Sequence, residues 1–245
     1  MYHSVTMISD IGYMRNTYTD WHLVPNGRPT IVMPSVKTTY VDIPGASGKL
    51  DLSESLTKYP LYDNRSGSLG FIVLNDYQTD ETSWAQLYQE IAKFTHGRKL
   101  QIYLEDDENF YYEGRVSTTW ESDSSGGWST VSFDYDLDPY KYWHEPMTAT
   151  KQTNSAGERW MFGYEQLGSM PTIPKFAVSN VGSVGIDITL NNEELGIINR
   201  TRHISTGGDY QFYDLILSNI HGNNVVTLDV VGSGYVHMRY TRGEL

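Results

Sequence analysis

Hydrophobic and polar residues alternate with period two along most of this 245-residue chain, the pattern of strands that bury one face and wet the other. In "SLGFIVL" the side chains of Leu69, Phe71 and Val73 fall on one side. Leu100, Ile102 and Leu104 do so in "LQIYL", and Val131, Phe133, Tyr135 and Leu137 in "VSFDYDL". These read as antiparallel strands with one wet face. One segment changes period: "DETSWAQLYQEIAKFTHG" puts Trp84, Leu87, Tyr88, Ile91 and Phe94 on a helical stripe, with Asp80 placed to cap its start and Gly97 to end it. Such a helix is expected to lie on a sheet, with its aromatic residues in the core.

Near residue 143 the texture breaks. "DPYKYWHEPMTATKQTNSAGERW" interrupts the alternation with Pro139 and Pro146 and then runs through small polar residues, which marks a domain junction. Short strands follow ("VGIDITL", "LGIINR", "YQFYDLIL", "VVTLDVV", "YVHMRY"), separated by "NNEE", "HGNN" and "GSG". That spacing without a helical pattern predicts a β-sandwich of about a hundred residues. The fold class expected is therefore mainly β: an antiparallel amino-terminal β domain with one amphipathic helix over residues 1–143, and a sandwich over 144–245.

Composition narrows the function. Hydrophobic residues make up 39% and charged residues 20% of the chain, a globular balance, and no apolar run approaches a membrane span. The start, "MYHSVTMISDIGYMRN", has neither a basic opening nor an apolar core, so no signal peptide is expected. There is no cysteine, which removes disulfides, thiolate nucleophiles and cysteine–zinc sites. The net charge of −12 disfavours a groove that tracks phosphates. Before Trp143 there are 11 Lys and Arg against 20 Asp and Glu, and after it 7 against 10, so the first part carries most of the acidic excess.

Four stretches resemble chemical sites, and each has a simpler reading. In "DYDLDPYKYWHE", Asp134, Asp136, Asp138 and Glu145 take the spacing of a calcium loop, yet Pro139 stands where the sharp turn needs glycine, and the aspartates are the wet face of a strand. "EDDE" at 105–108 reads as the tip of a hairpin rather than as a carboxylate pair across a cleft. The seven histidines show no metal-binding spacing, and no nucleophile elbow is present. Trp160 and Tyr164 could form a sugar-stacking platform, but core or interface packing is the simpler account. "DIPGASGKLDLSESL" at 42–56 imitates a phosphate loop, but Ile43 holds the first glycine slot and Leu50 the hydroxyl slot. Pro44, Gly45 and Gly48 instead predict a chain reversal followed by alternation through Leu50 and Leu52. No catalytic, metal or cofactor residue is assigned.

Several segments of the first 143 residues, taken in order, resemble one family. "TYTDWHLVPNGRPTIVMPSVKTTYVDIPGASGKLDLSESL", "YDNRSGSLGFIV", "LYQEIAKFTHGRKLQIYLEDDENFYYEGRV" and "TVSFDYDLDPYKY", with "VHMRYTRGEL" at the end, are similar to the distal tail proteins of long-tailed (siphovirus-type) phages of Gram-positive bacteria. The resemblance implies a non-enzymatic virion protein, a hub at the distal tip of the tail tube. Its amino-terminal domain would form a tail-tube-like homohexameric ring, and its carboxy-terminal domain a galectin-like sandwich facing outward. The partners implied are further copies of itself, the tail-tube protein, a tail-tip or tail-associated lysin protein, and a receptor-binding protein. The genome would pass through the ring without specific binding, and no membrane is involved. The turn at 42–56 then becomes a protein contact, with Pro44, Gly45, Gly48, Asp51 and Leu52 as candidate oligomer-interface residues. The amino-terminal acidic excess, including "EDDENFYYEG" and "FDYDLD", is expected to line the lumen. The alternative is a carbohydrate-binding module, and a surface glycosidase would need two carboxylates facing across a pocket.

Overall fold

The alternating segments form strands and the 3.6-period stripe forms a helix. A computed structural model describes residues 3–73, 81–122, 129–153, 157–220 and 225–245. The first part of the chain contains β1 (Val5–Ser9), β2 (Met14–Asn16), β3 (Leu23–Pro25), β4 (Tyr40–Asp42), β5 (Lys49–Asp51) and β6 (Arg65–Val73). They are followed by α1 (Glu81–Thr95), β7 (Arg98–Leu104), β8 (Phe110–Ser122), β9 (Ser129–Leu137) and β10 (Lys141–Trp143). Two units result, one comprising Met1–Lys37 with Leu61–Lys141 and the other Thr38–Pro60 with Tyr142–Leu245. The chain passes from the first unit to the second after Lys141. The excursion Thr38–Pro60, expected within the first domain, groups with the second unit.

The first unit is built on an antiparallel sheet in the order β2-β1-β7-β8-β9-β6-β3. Its register sets Val5 beside Leu104, Met7 beside Ile102 and Phe71 beside Val131, so the apolar positions of separate strands share one face. Leu69, Phe71, Val73, Leu100, Ile102, Val131, Phe133 and Leu137 are all buried there. Helix α1 adds the buried Leu87 and Ile91. Phe133 lies at the centre, with its ring 5.4 Å from Phe71 and 6.1 Å from Trp21, whose indole meets Phe94 edge-on at 5.7 Å. Tyr88, on the same helical stripe, meets Trp120 edge-on at 4.9 Å. Asp80, expected as the helix cap, and the side chain of Trp84 lie outside the described residues. The helix ends at Thr95, two residues before Gly97, which takes φ +72° and donates its N–H to the Val116 carbonyl.

The second unit contains β11 (Met147–Thr153), β12 (Glu158–Phe162), the single turn α2 (Tyr164–Leu167), β13 (Lys175–Ser179), β14 (Ile186–Asn192), β15 (Ile197–Ile204) and β16 (Gly208–Gln211). The remaining strands are β17 (Val226–Gly232), β18 (Gly234–Tyr240) and β19 (Gly243–Glu244). Two four-stranded sheets, β11-β18-β13-β16 and β12-β17-β14-β15, enclose one core. Phe176, Val178, Val236 and Met238 come from the first sheet, and Trp160, Ile188, Leu228 and Val230 from the second. The chain crosses between sheets at "GSG", where a side chain at Gly232 would collide with the Gly185 carbonyl.

"YQFYDLIL" departs from the expected strand. Only Gly208–Gln211 joins a ladder, after which the Leu215 N–H turns back to the Phe212 carbonyl and Asp214 binds Arg200 and Arg202. Leu215 and Leu217 still enter the core from this irregular backbone. The turn expected at "HGNN", with His221, lies outside the described residues.

Candidate functional site

The stretch that imitated a phosphate loop folds as a hairpin arm. β4 and β5 pair only with each other, with Tyr40 opposite Asp51, Val41 opposite Leu50 and Asp42 opposite Lys49. Gly45 at φ +80° and Gly48 at φ +83° make the reversal, a conformation open to glycine because it has no Cβ. No atom lies within 4 Å of where a Cβ would stand at either position, so their role is backbone freedom rather than close approach.

The root of the arm is firmly built within the first unit. The Lys37 N–H donates to the Leu61 carbonyl at 2.8 Å and the Asp63 N–H to the Ser35 carbonyl at 2.9 Å, and Lys37 pairs with Asp63. Beneath the leading leg lies Arg65, 1% exposed. Its guanidinium donates to the carbonyls of Val32 at 3.1 Å and Pro139 at 2.8 Å and sits over the Tyr112 ring. Burial draws its pKa below the ordinary arginine value, opposed by the nearby Tyr112 and Tyr135. Tyr135 also accepts the Val32 N–H through its hydroxyl. A buried cation that clamps two carbonyls fixes where the leg leaves the sheet.

The arm itself is uncovered. Val41 and Leu50 face each other across the ladder, and alternation puts Ile43 and Leu52 on the same side. These four, with Tyr40, are between 37% and 53% exposed, and Leu56 is 95% exposed. Of the residues singled out from sequence, Pro44, Gly45 and Gly48 lie at the tip and Leu52 on the apolar face. Asp51 is occupied within the arm: it accepts the Ser53 hydroxyl and N–H, and these bonds hold its carboxyl below the usual range. Sequence reasoning missed Tyr40, Val41, Leu56 and the exposed Val32, Met33 and Val36 of the leading leg. Their alternation matches that of core strands, and only the pairing of β4 with β5 alone sets them apart.

The other candidate sites fold as structural features. Asp134 and Asp136 project from the extended β9, with Asp134 accepting the Thr119 hydroxyl. In "EDDE", Asp106 accepts Arg28 at 2.7 Å and His3 at 2.9 Å, which together lower its pKa, and Asp107 pairs with Lys141 at 2.7 Å. These carboxylates are ion-paired rather than poised across a cleft. Trp160 is buried in the sandwich core. No group of three or more His, Asp or Glu side chains is arranged to hold a metal among the described residues, and no helix among them is long and apolar enough to cross a membrane.

No family model matches the sequence, and no curated protein matches it either. Among solved structures, the chain is similar to the phage P2 baseplate in its activated conformation with Ca, at TM-score 0.44 and 5% identity, covering 99% of this chain and 98% of that one. It is also similar to the SPP1 Dit (gp 19.1) protein, described as a paradigm of the hub adsorption apparatus in phages infecting Gram-positive bacteria. That likeness has TM-score 0.61 and 15% identity over 98% of this chain and 99% of the other. A two-unit, mainly antiparallel β chain with a single long helix among its described residues thus shares, over almost its whole length, the fold of the SPP1 Dit protein.

Proposed function

We propose that this chain is a structural virion protein, a hub at the distal end of a phage tail tube that joins the tube to tail-tip or baseplate proteins. The observation that carries the reading is the likeness to the SPP1 Dit hub protein through both units. The ordered sequence segments of the first 143 residues support it independently. The protein works by contact and not by catalysis: it assembles into a homohexameric ring, binds the tail-tube protein and a tail-tip or receptor-binding protein, and lets the genome pass without holding it.

The arm supplies a physical reason for assembly. Covering the remaining surface of each half-exposed leucine or isoleucine of the ribbon gains about 1 kcal/mol, and an isolated two-stranded ribbon is marginal in water. Closed cyclic symmetry repeats a head-to-tail contact without leaving it unsatisfied. Size-exclusion chromatography with light scattering, followed by negative-stain microscopy, tests the ring. Six-fold particles at six times the 27.9 kDa protomer are expected. A chain that stays monomeric at high concentration, both alone and with the tail-tube protein, overturns the reading.

A further inference from the structure

Seven Lys and Arg residues follow Trp143, and five of them have acidic partners. Lys151 pairs with Glu158, Arg159 with Asp229, Arg200 and Arg202 with Asp214, and Arg242 with Glu244. The two that remain, Lys175 and Arg239, have no ion-pair partner among the described residues, and they stand directly opposite each other on β13 and β18. Side chains so placed have Cβ atoms about 4.5–5.5 Å apart, and like charges there destabilise a sheet. The residues that continue their row are Thr148 and Gln211, neither of which carries a charge.

The outer face of the second sheet shows what the same sandwich does elsewhere. Arg159 lies opposite Asp229 and binds it through two bonds of 2.5 and 2.9 Å. His203 lies opposite Asp187 at 2.7 Å, and Thr189 opposite Thr201 at 2.8 Å. There the polar groups are matched across the ladder. On the first sheet, Lys175 and Arg239 instead border an open groove of about 440 Å³, with Ala177 in its lining and His237, Asp209, Gln211 and Tyr210 around it. The His237 ring is bonded through Nδ1 to the Thr150 hydroxyl at 2.7 Å.

We propose that this groove binds an acidic segment of another protein. Two adjacent cations with no ion-pair partner among the described residues call for carboxylates, while Asp209 and Gln211 in the same lining offer acceptors that peptide N–H groups can use. A long polyanion such as nucleic acid would extend beyond this groove over a chain of net charge −12. The groove offers a sugar one aromatic ring at its surface, Tyr210, which packs a face on Phe212 and donates its hydroxyl to the Thr206 carbonyl. The proposal stands on the charges of the groove and does not depend on ring formation.

The test uses the full-length chain and hexaglutamate at low ionic strength, with binding followed by calorimetry and by NMR shifts. A chain of net charge −12 repels this peptide in general, so binding must come from a local site. Hexaglutamate is expected to bind and hexaglutamine not to. The double variant Lys175→Gln, Arg239→Gln should weaken binding about tenfold or more, while Asp229→Asn leaves it unchanged. The melting temperature of the double variant should hold or rise, because cross-strand repulsion is removed. Undiminished binding by that variant, or a fall in its melting temperature together with loss of binding, overturns the proposal. So does a site that takes inorganic phosphate or glucuronate as well as it takes hexaglutamate.

Discussion

Strand β9 and the hairpin arm carry the same alternation and end in opposite environments. In β9 the apolar parity, from Val131 through Phe133 and Tyr135 to Leu137, is almost wholly removed from solvent, because β6 and β8 flank it and the helix-bearing face lies over it. In the arm the apolar parity, Val41 and Ile43 with Leu50 and Leu52, remains substantially exposed. Period two therefore specifies a strand and its two faces, but not what rests on the dry one. A central strand has neighbours within its own chain to supply that cover. A two-stranded ribbon has no further strand in its ladder, and its apolar face stays substantially exposed in the protomer.

The most direct way to break the comparison is to truncate one side chain in each region. Phe133→Ala removes a ring held between Phe71 and Trp21 and should cost about 3–5 kcal/mol, read from urea unfolding of the first unit. Leu50→Ala should change the stability of the unassembled chain by less than about 0.5 kcal/mol. Comparable losses at the two sites would show that the arm is packed within the protomer after all.

Assembly should reverse that ranking. Replacing Leu50 and Leu52 by aspartate places charge on the arm's apolar face, forfeiting about 1 kcal/mol of burial per side chain and adding about 2 kcal/mol or more for each unpaired carboxylate in the contact. The pair should abolish particles larger than the protomer in light scattering while leaving the circular dichroism spectrum unchanged. A double variant that still forms rings removes this face from the interface.

What could be read in advance follows from the same physics. The core faces of β6, β7 and β9 were legible because every second residue reported the same environment, and Gly45 and Gly48 declared a turn through their composition. Arg65 was not legible: a charged residue at the start of a strand looks solvated, and its clamp on Val32 and Pro139 depends on loops distant in sequence. Trp21 sits in a non-periodic stretch and is fully buried. The opposition of Lys175 and Arg239 is a fact of register between strands 64 positions apart, which periodicity within one strand cannot contain. Likewise, the exposed arm residues looked like core residues because their exposure results from the number of neighbouring strands.

Burial also sets a pH response that separates covered from uncovered side chains. Tyr240 is buried in the sandwich, donates to the Gln166 carbonyl at 3.2 Å, and has its pKa pushed up to about 12 by desolvation. The unfolded chain loses that proton near pH 10 and the folded chain near 12, so the contribution is fully present below pH 10 and is lost between pH 10 and about 12. The total loss amounts to about 2–3 kcal/mol for the two-unit shift. Tyr240→Phe should flatten this part of the alkaline unfolding profile. A profile unaltered by the substitution would mean that the phenol does not titrate differently on folding.

The smallest expected effect distinguishes two uses of glycine. At Gly114 an added Cβ would meet the Asp136 carbonyl and the Leu137 Cα, so a side chain there must separate β8 from β9. At Gly45 nothing obstructs it, and only the positive φ is strained. Alanine at Gly45 should then cost about 1 kcal/mol, confined to the arm, because the ribbon bears no other strand. Its amide exchange in the β4–β5 ladder should quicken about fivefold, with the first-unit sheet unaffected. Equal exchange in the variant would show that the reversal does not need the left-handed conformation. Faster exchange throughout β6 to β9 would show that the arm is a cooperative part of the sheet, and the contrast between a covered strand and an uncovered ribbon would fail at its root.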